Sequence, residues 1–191
     1  HFCKKERKLT QSCKLKITRN ILVNSSTVGP DNEIVFGDYG ASGKYKGVGI
    51  HRSFDFGRHW EKCFIFPIGL VKQVLAVRWD SNSSSYWVNT GDENGECFFW
   101  RFDKNFLLLE KIGDGSLTYR AISSWFSPGK LLWVTNDPYS GSQVFSFELS
   151  SQKLNFVEKI DGSVWYATIL SDGWIVLASC AEELHWNSND G

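Results

Sequence analysis

The stretch Ser53-Phe54-Asp55-Phe56-Gly57-Arg58-His59-Trp60 constrains the fold more than any other part of the sequence. It reads S-x-D-x-G-x-x-W and joins two strand-like runs. Gly47-Val48-Gly49-Ile50-His51-Arg52 comes before it, and Trp60-Glu61-Lys62-Cys63-Phe64-Ile65-Phe66 leads away. Ser53 and Asp55 carry short oxygen side chains that accept hydrogen bonds from nearby backbone N–H groups and so close a turn. Gly57 supplies a positive φ without steric cost. Trp60 opens the return strand and lays a large apolar face over the turn. Together these residues predict a stiff hairpin corner.

The pattern resembles the Asp-box, or BNR repeat, of sialidase-like β-propellers. Ser53, Asp55, Gly57 and Trp60 hold its four defining positions, and His59 stands where that family usually has Thr. The resemblance implies a propeller of four-stranded antiparallel blades. It also implies that these four residues are structural, because in that family the Asp-box lies away from the active site.

A weak internal repeat points to the same architecture. Val35-Phe36-Gly37-Asp38 aligns with Val88-Asn89-Thr90-Gly91-Asp92 and with Val134-Thr135-Asn136-Asp137, and Leu177-Ala178-Ser179-Cys180 is a last member without the acid. Leu109-Glu110-Lys111-Ile112 recurs as Val157-Glu158-Lys159-Ile160. Periods near 45–50 residues fit one four-stranded blade. Blades are expected at 20–67, 71–113, 118–161 and 164–191, with strands near 20–26, 33–38, 46–53 and 60–66 in the first. Residues 1–19 read as a lead-in or a strand of a preceding blade. No stretch holds a sustained helical period. The expected fold is therefore all-β, with about three and a half to four blades. Because the sequence has no methionine and ends in a half-blade, the reading favours a fragment of a larger propeller.

Composition narrows the partners. Lys+Arg and Asp+Glu both number 21, so the formal net charge is zero, which argues against a nucleic-acid partner. The basic run Lys4-Lys5-Glu6-Arg7-Lys8 reads as a solvated terminal segment. Nine Trp, fourteen Phe and six Tyr suit sheets packed face to face. No apolar run approaches the roughly 20 residues of a membrane span, and no secretory signal is visible. The five cysteines (Cys3, Cys13, Cys63, Cys97, Cys180) are odd in number and lack C-x-x-C spacing. Cys63 and Cys97 sit in strand-like runs and read as reduced, buried thiols, a Cys3–Cys13 pair is open, and the odd count without a disulfide framework leans the location towards the cytoplasm. Asn24-Ser25-Ser26 and Asn82-Ser83-Ser84 match the glycosylation acceptor pattern. The four histidines show no metal-ligand spacing, and no cofactor motif is present. The oligomeric state is left open.

Topology then locates the chemistry. In a four-stranded meander the 1–2 and 3–4 turns share one end, and the 2–3 loops and blade links share the other. The Ser53–Trp60 turn is a 3–4 turn. Asp38, Asp92 and Asp137 follow the second strand of successive blades, so they are expected at the opposite end. Lys72, Gln73, Tyr119, Arg120, Trp165 and Tyr166 open the inner strands there. Glu93, Glu96, Tyr139, Glu182 and Glu183 lie on or near these loops. Carboxylates accept hydrogen bonds from sugar hydroxyls and aromatic rings stack on sugar faces, so carbohydrate is the expected ligand class. The plainer reading makes the acids turn residues and Tyr119, Trp165 and Tyr166 core aromatics.

Two function classes compete. A glycoside hydrolase needs two carboxyl groups flanking the scissile bond, with Asp38, Asp92 and Asp137 as candidates. The resemblance to sialidases implies three arginines and a Tyr nucleophile helped by a Glu, yet only Arg120 sits at the right end of a strand. The alternative is a non-catalytic propeller that binds a glycan or a protein. Lys72, Tyr119, Arg120 and Tyr166 are the expected ligand contacts in either case.

Overall fold

The computed structural model describes residues 2–3, 8–9, 21–39, 47–137 and 141–180. Strands β1 (Phe2–Cys3) and β2 (Lys8–Leu9) pair as a short ladder. Three four-stranded antiparallel sheets follow. The first contains β3 (Ser26–Val28), β4 (Ile34–Gly37), β5 (Gly49–Ser53) and β6 (Glu61–Ile65). The second contains β7 (Val74–Asp80), β8 (Ser85–Thr90), β9 (Cys97–Phe102) and β10 (Leu108–Gly115). The third contains β11 (Ala121–Ser127), β12 (Lys130–Thr135), β13 (Ser142–Glu148) and β14 (Lys153–Ile160). A two-stranded sheet ends the described chain, with β15 (Ser163–Ile169) against β16 (Ile175–Cys180). Each sheet is a meander in chain order, and β7 lies beside β3, β11 beside β7 and β15 beside β11. This is an all-β array of propeller blades built on their first strands.

The blades pack through both faces, which explains their almost continuous apolar strands. Side chains alternate across a strand. In β8, Tyr86 and Val88 face the first blade with Val35, Ile50 and Phe66. Trp87, between them, faces the third blade with Leu131, Trp133 and Phe147. Burying each such aromatic or aliphatic side chain contributes about 1.5–3 kcal/mol. The third interface, around Ile122, Val134 and Val164, is smaller. Beyond it the last hairpin leaves Tyr166, Trp174 and Val176 exposed.

Two strand starts differ from the sequence expectation, for a local reason. The expected strand over 20–26 is interrupted by a 3-10 turn at Val23–Ser25. Both the N–H (3.0 Å) and the hydroxyl (2.9 Å) of Ser25 donate to the Leu22 carbonyl, pulling the segment out of the ladder. A second 3-10 turn, Leu117–Tyr119, precedes β11. Asn24 is buried, its amide donating to the Trp165 carbonyl (3.4 Å) and its Oδ1 accepting from Arg78 (3.1 Å), so this acceptor pattern is structural. That first bond ties the first blade to the last hairpin. No helix among the described residues is long and apolar enough to cross a membrane.

Candidate functional site

The Ser53–Trp60 segment forms a closed corner between β5 and β6. The N–H groups of Gly57 (2.9 Å) and Asp55 (3.4 Å) donate to Ser53 Oγ, whose own hydroxyl donates to Asp55 Oδ1 (2.9 Å). Asp55 Oδ1 also accepts the N–H groups of Arg58 (3.0 Å) and His59 (2.8 Å). Gly57 adopts φ 82°. Trp60 Nε1 donates to the Gly57 carbonyl (3.0 Å), and its ring meets Phe36 edge-on at 4.8 Å. His59 Nδ1 lies 2.5 Å from Asp55 Oδ2. The His59 backbone N–H, and next its ring, hold the Asp55 carboxyl well below its usual 3.8. All of these carboxylate bonds are spent inside the turn.

At the other end of the blades the expected residues divide into two groups. Asp38 directly follows β4 and turns inward, 7% exposed. Its Oδ1 lies 2.9 Å from His51 Nε2, its Oδ2 accepts the Gly49 N–H (2.8 Å), and its carbonyl accepts the Val74 N–H of the next blade (2.8 Å). Asp38 is thus a joint between blades. Its partner His51 stacks on Phe36 at 4.7 Å. That pairing was not expected, because a strand histidine gives no sign of which acid its neighbouring strand ends on.

Asp92 is the centre of the second group. Lys72 Nζ lies 2.5 Å from its Oδ2, and Arg120 Nη2 lies 3.1 Å from its Oδ1. Lys72 also reaches the exposed Glu93 (3.4 Å). The hydrogen bond to Asp92 raises Lys72 above its usual 10.5. Arg120 further donates to the carbonyl of Asn136 and to its Oδ1 (3.1 Å), and Asn136 Nδ2 donates to the Val164 carbonyl of the last hairpin (2.8 Å). Lys72, Asp92, Arg120 and Asn136 therefore form one chain of contacts that runs from the start of β7 past the start of β11 to Val164 of β15.

Glu96 stands beside this chain. Burial first, and the negative charge of Glu93 next, push its carboxyl up from the usual glutamate range. Its Oε2 is buried without a hydrogen-bond partner. Asp137 is half-buried two residues past β12 and has its own partner. In the third blade Asn136 bridges to the next blade through the Val164 carbonyl.

The aromatics stay apart from the charged chain. The turn at Leu117–Tyr119 swings the Tyr119 ring into the core, where it stacks on Trp133 at 5.7 Å. Burial raises its hydroxyl above the usual 10.0. That leaves Tyr119 9% exposed and away from solvent. Tyr166 is 62% exposed on β15, with no ring contact or hydrogen bond to the Asp92 group among the described residues. Tyr139, Glu182 and Glu183 lie outside the described residues. Among the described residues no group of three or more His, Cys, Asp or Glu is placed to hold a metal ion. Cys63 and Cys97 are free thiols.

No family model matches the chain, and no curated protein matches it in sequence. Solved structures that resemble it include TolB from Acinetobacter baumannii, at 16% identity over 84% of this chain and 41% of that one, with a TM-score of 0.46. A puromycin hydrolase mutant complexed with PGG is similar at 12% identity, over 82% of this chain and 24% of that one, with a TM-score of 0.41. The chain spans less than half the length of either structure.

Proposed function

We propose that this chain is a sialidase-like, Asp-box propeller module that binds carbohydrate at the blade end carrying Lys72, Asp92, Glu93 and Arg120, without hydrolysing it. The observation that supports this reading most is the doubly paired Asp92. Its two oxygens are held by Lys72 and Arg120 (2.5 and 3.1 Å), which leaves a fixed, charge-balanced platform rather than a free carboxylate. Lys72 and Glu93 stay open to solvent and offer donors and acceptors to hydroxyl groups. The bonding of Ser53, Asp55, Gly57 and Trp60 supports the Asp-box reading, with the His59 ring serving Asp55 in place of the usual Thr.

Sialidase chemistry is the weaker fit. Arg120 is committed to Asp92 and Asn136, and Arg78 to the backbone and side chain of Asn24. A second reading, glycoside hydrolysis, is favoured by one observation. Glu96 has a raised carboxyl beside the paired Asp92, the division of roles that general-acid catalysis uses. A glycan array together with a fluorogenic glycoside screen separates the two. Binding without turnover supports the module. Turnover lost in Glu96→Gln supports hydrolysis. Neither binding nor turnover would overturn both.

A further inference from the structure

We propose that the last hairpin, β15–β16, docks and undocks as one unit, and that Asn136 couples its docking to Arg120 at the candidate ligand end. The bearing of this coupling on ligand affinity rests on the carbohydrate reading. The docking itself is measured without ligand, so the two fail separately.

The hairpin has a small apolar seat. β15 and β16 pair only with each other among the described residues, and a two-stranded hairpin alone is marginal in water. Val164 packs with Ile122 and Val134, with Leu22 and Leu177 partly buried beside them. Tyr166, Ile169, Trp174 and Val176 stay exposed. Buried polar side chains add to the grip. Ser142 Oγ accepts the Val164 N–H (2.8 Å), and Asn136 Nδ2 donates to the Val164 carbonyl (2.8 Å). Ser142 and Val164 are 0% exposed and Asn136 is 3% exposed. At the bulge between Val164 and Tyr166, the Trp165 carbonyl accepts Asn24 Nδ2 (3.4 Å). A segment with few buried apolar contacts opens at a lower free energy than the whole fold.

Asn136 faces two ways. Its Nδ2 holds Val164, its Oδ1 accepts Arg120 Nη1 (3.1 Å), and its N–H donates to the Arg120 carbonyl (3.2 Å). Only one orientation of the amide presents oxygen to the guanidinium and nitrogen to the carbonyl. The docked hairpin fixes that orientation, and Arg120 in turn holds Asp92 at 3.1 Å. Docking therefore steadies the Arg120–Asp92 contact, and by reciprocity loss of Arg120 loosens the hairpin. Arg120 makes no hydrogen bond to the hairpin itself among the described residues.

The test is native-state hydrogen exchange on the whole chain, read by mass spectrometry over β15–β16 and over β8. In the wild type the hairpin amides are expected to exchange together and faster than those of β8. Asn136→Asp keeps an acceptor for Arg120 but has no donor for Val164, and is expected to speed hairpin exchange about tenfold. Arg120→Ala is expected to speed it about threefold or more through Asn136. Phe66→Leu, in the core between the first two blades, destabilises the fold but is expected to leave hairpin exchange unchanged, because hairpin opening does not break that core. If Arg120→Ala does not fold, Arg120→Lys takes its place. Hairpin exchange in step with β8, or equally raised in Phe66→Leu, would overturn the separate unit. Unchanged hairpin exchange in Asn136→Asp or in the Arg120 variant would overturn the coupling.

Discussion

Arg120 Nη2 meets Asp92 Oδ1 at 3.1 Å across the boundary between the second and third blades, while Lys72 takes the other carboxylate oxygen at 2.5 Å. Arg120 and Lys72 each sit at the start of an inner strand. One carboxylate therefore fixes the relative position of two blades, and it does so where the proposed ligand binds.

Removing that carboxylate tests its mechanical part. Arg120 has only 15% of its side chain exposed, so Asp92→Ala leaves a mostly buried cation short of its counter-charge. The expected cost is about 2 kcal/mol in urea unfolding, with Tm falling by about 4–8 °C. Lys72→Ala removes the more exposed partner and is expected to cost under about 1 kcal/mol.

The Ser53–Trp60 turn carries a pH signature. The Asp55 carboxyl is held well below 3.8 by His59. A depressed acid stabilises the folded state above its unfolded value and loses that contribution as pH falls through its folded value. The stability difference between the wild type and Asp55→Asn is thus expected to shrink as pH falls below about 4. Acid titration of Tm in both proteins measures it. A difference that grows below about pH 4 would contradict the account.

Much of this architecture is legible in the sequence, and the part that is not has a physical cause. Apolar runs bounded by turn residues mark β7 to β9 and β11 to β13, because the inner strands of the second and third blades are largely buried on both faces. The Ser53–Trp60 bonding also follows from residue types alone, since every bond in it is local. Contacts between blades are different. Glu33 and Tyr86 share a buried hydrogen bond across 53 residues of sequence, and no local pattern pairs them. The inner strands β7, β11 and β15 each carry a bulge just after their first residues, between Val74/Ala76, Ala121/Ser123 and Val164/Tyr166. A bulge shifts which face the later side chains take. Tyr119 illustrates the limit. Its place before β11 was expected, but the 3-10 turn that buries its ring was not.

The Glu33–Tyr86 contact gives a third prediction. Both side chains are at most 1% exposed, and burial with the Glu33 bond drives the Tyr86 hydroxyl above its usual range. Tyr86→Phe leaves Glu33 with the Asp31 N–H (2.8 Å) but without its phenol donor. The expected loss is about 1–3 kcal/mol. A double-mutant cycle with Glu33→Gln should give a coupling of about 1 kcal/mol or more, and additive losses would contradict the pairing.

Thiol reactivity reports on the same interfaces. Burial pushes Cys63 up to about 12 and Cys97 up to about 11, so neither supplies thiolate at neutral pH. Cys180 is exposed. At pH 7.5, Cys180 is expected to react readily with a disulfide reagent, while Cys63 and Cys97 react only after denaturation. Rapid labelling of Cys97 in the native protein would contradict the packing between the second and third blades.

The central claim is that ligand binds at the Asp92 end of the blades. The most direct measurement is calorimetric titration of the strongest array glycan into wild type, Lys72→Ala, Glu93→Ala and Lys130→Ala. The account predicts affinity weakened about fivefold or more in Lys72→Ala and Glu93→Ala, and unchanged in Lys130→Ala at the opposite end. Full affinity in Lys72→Ala and Glu93→Ala together would contradict it.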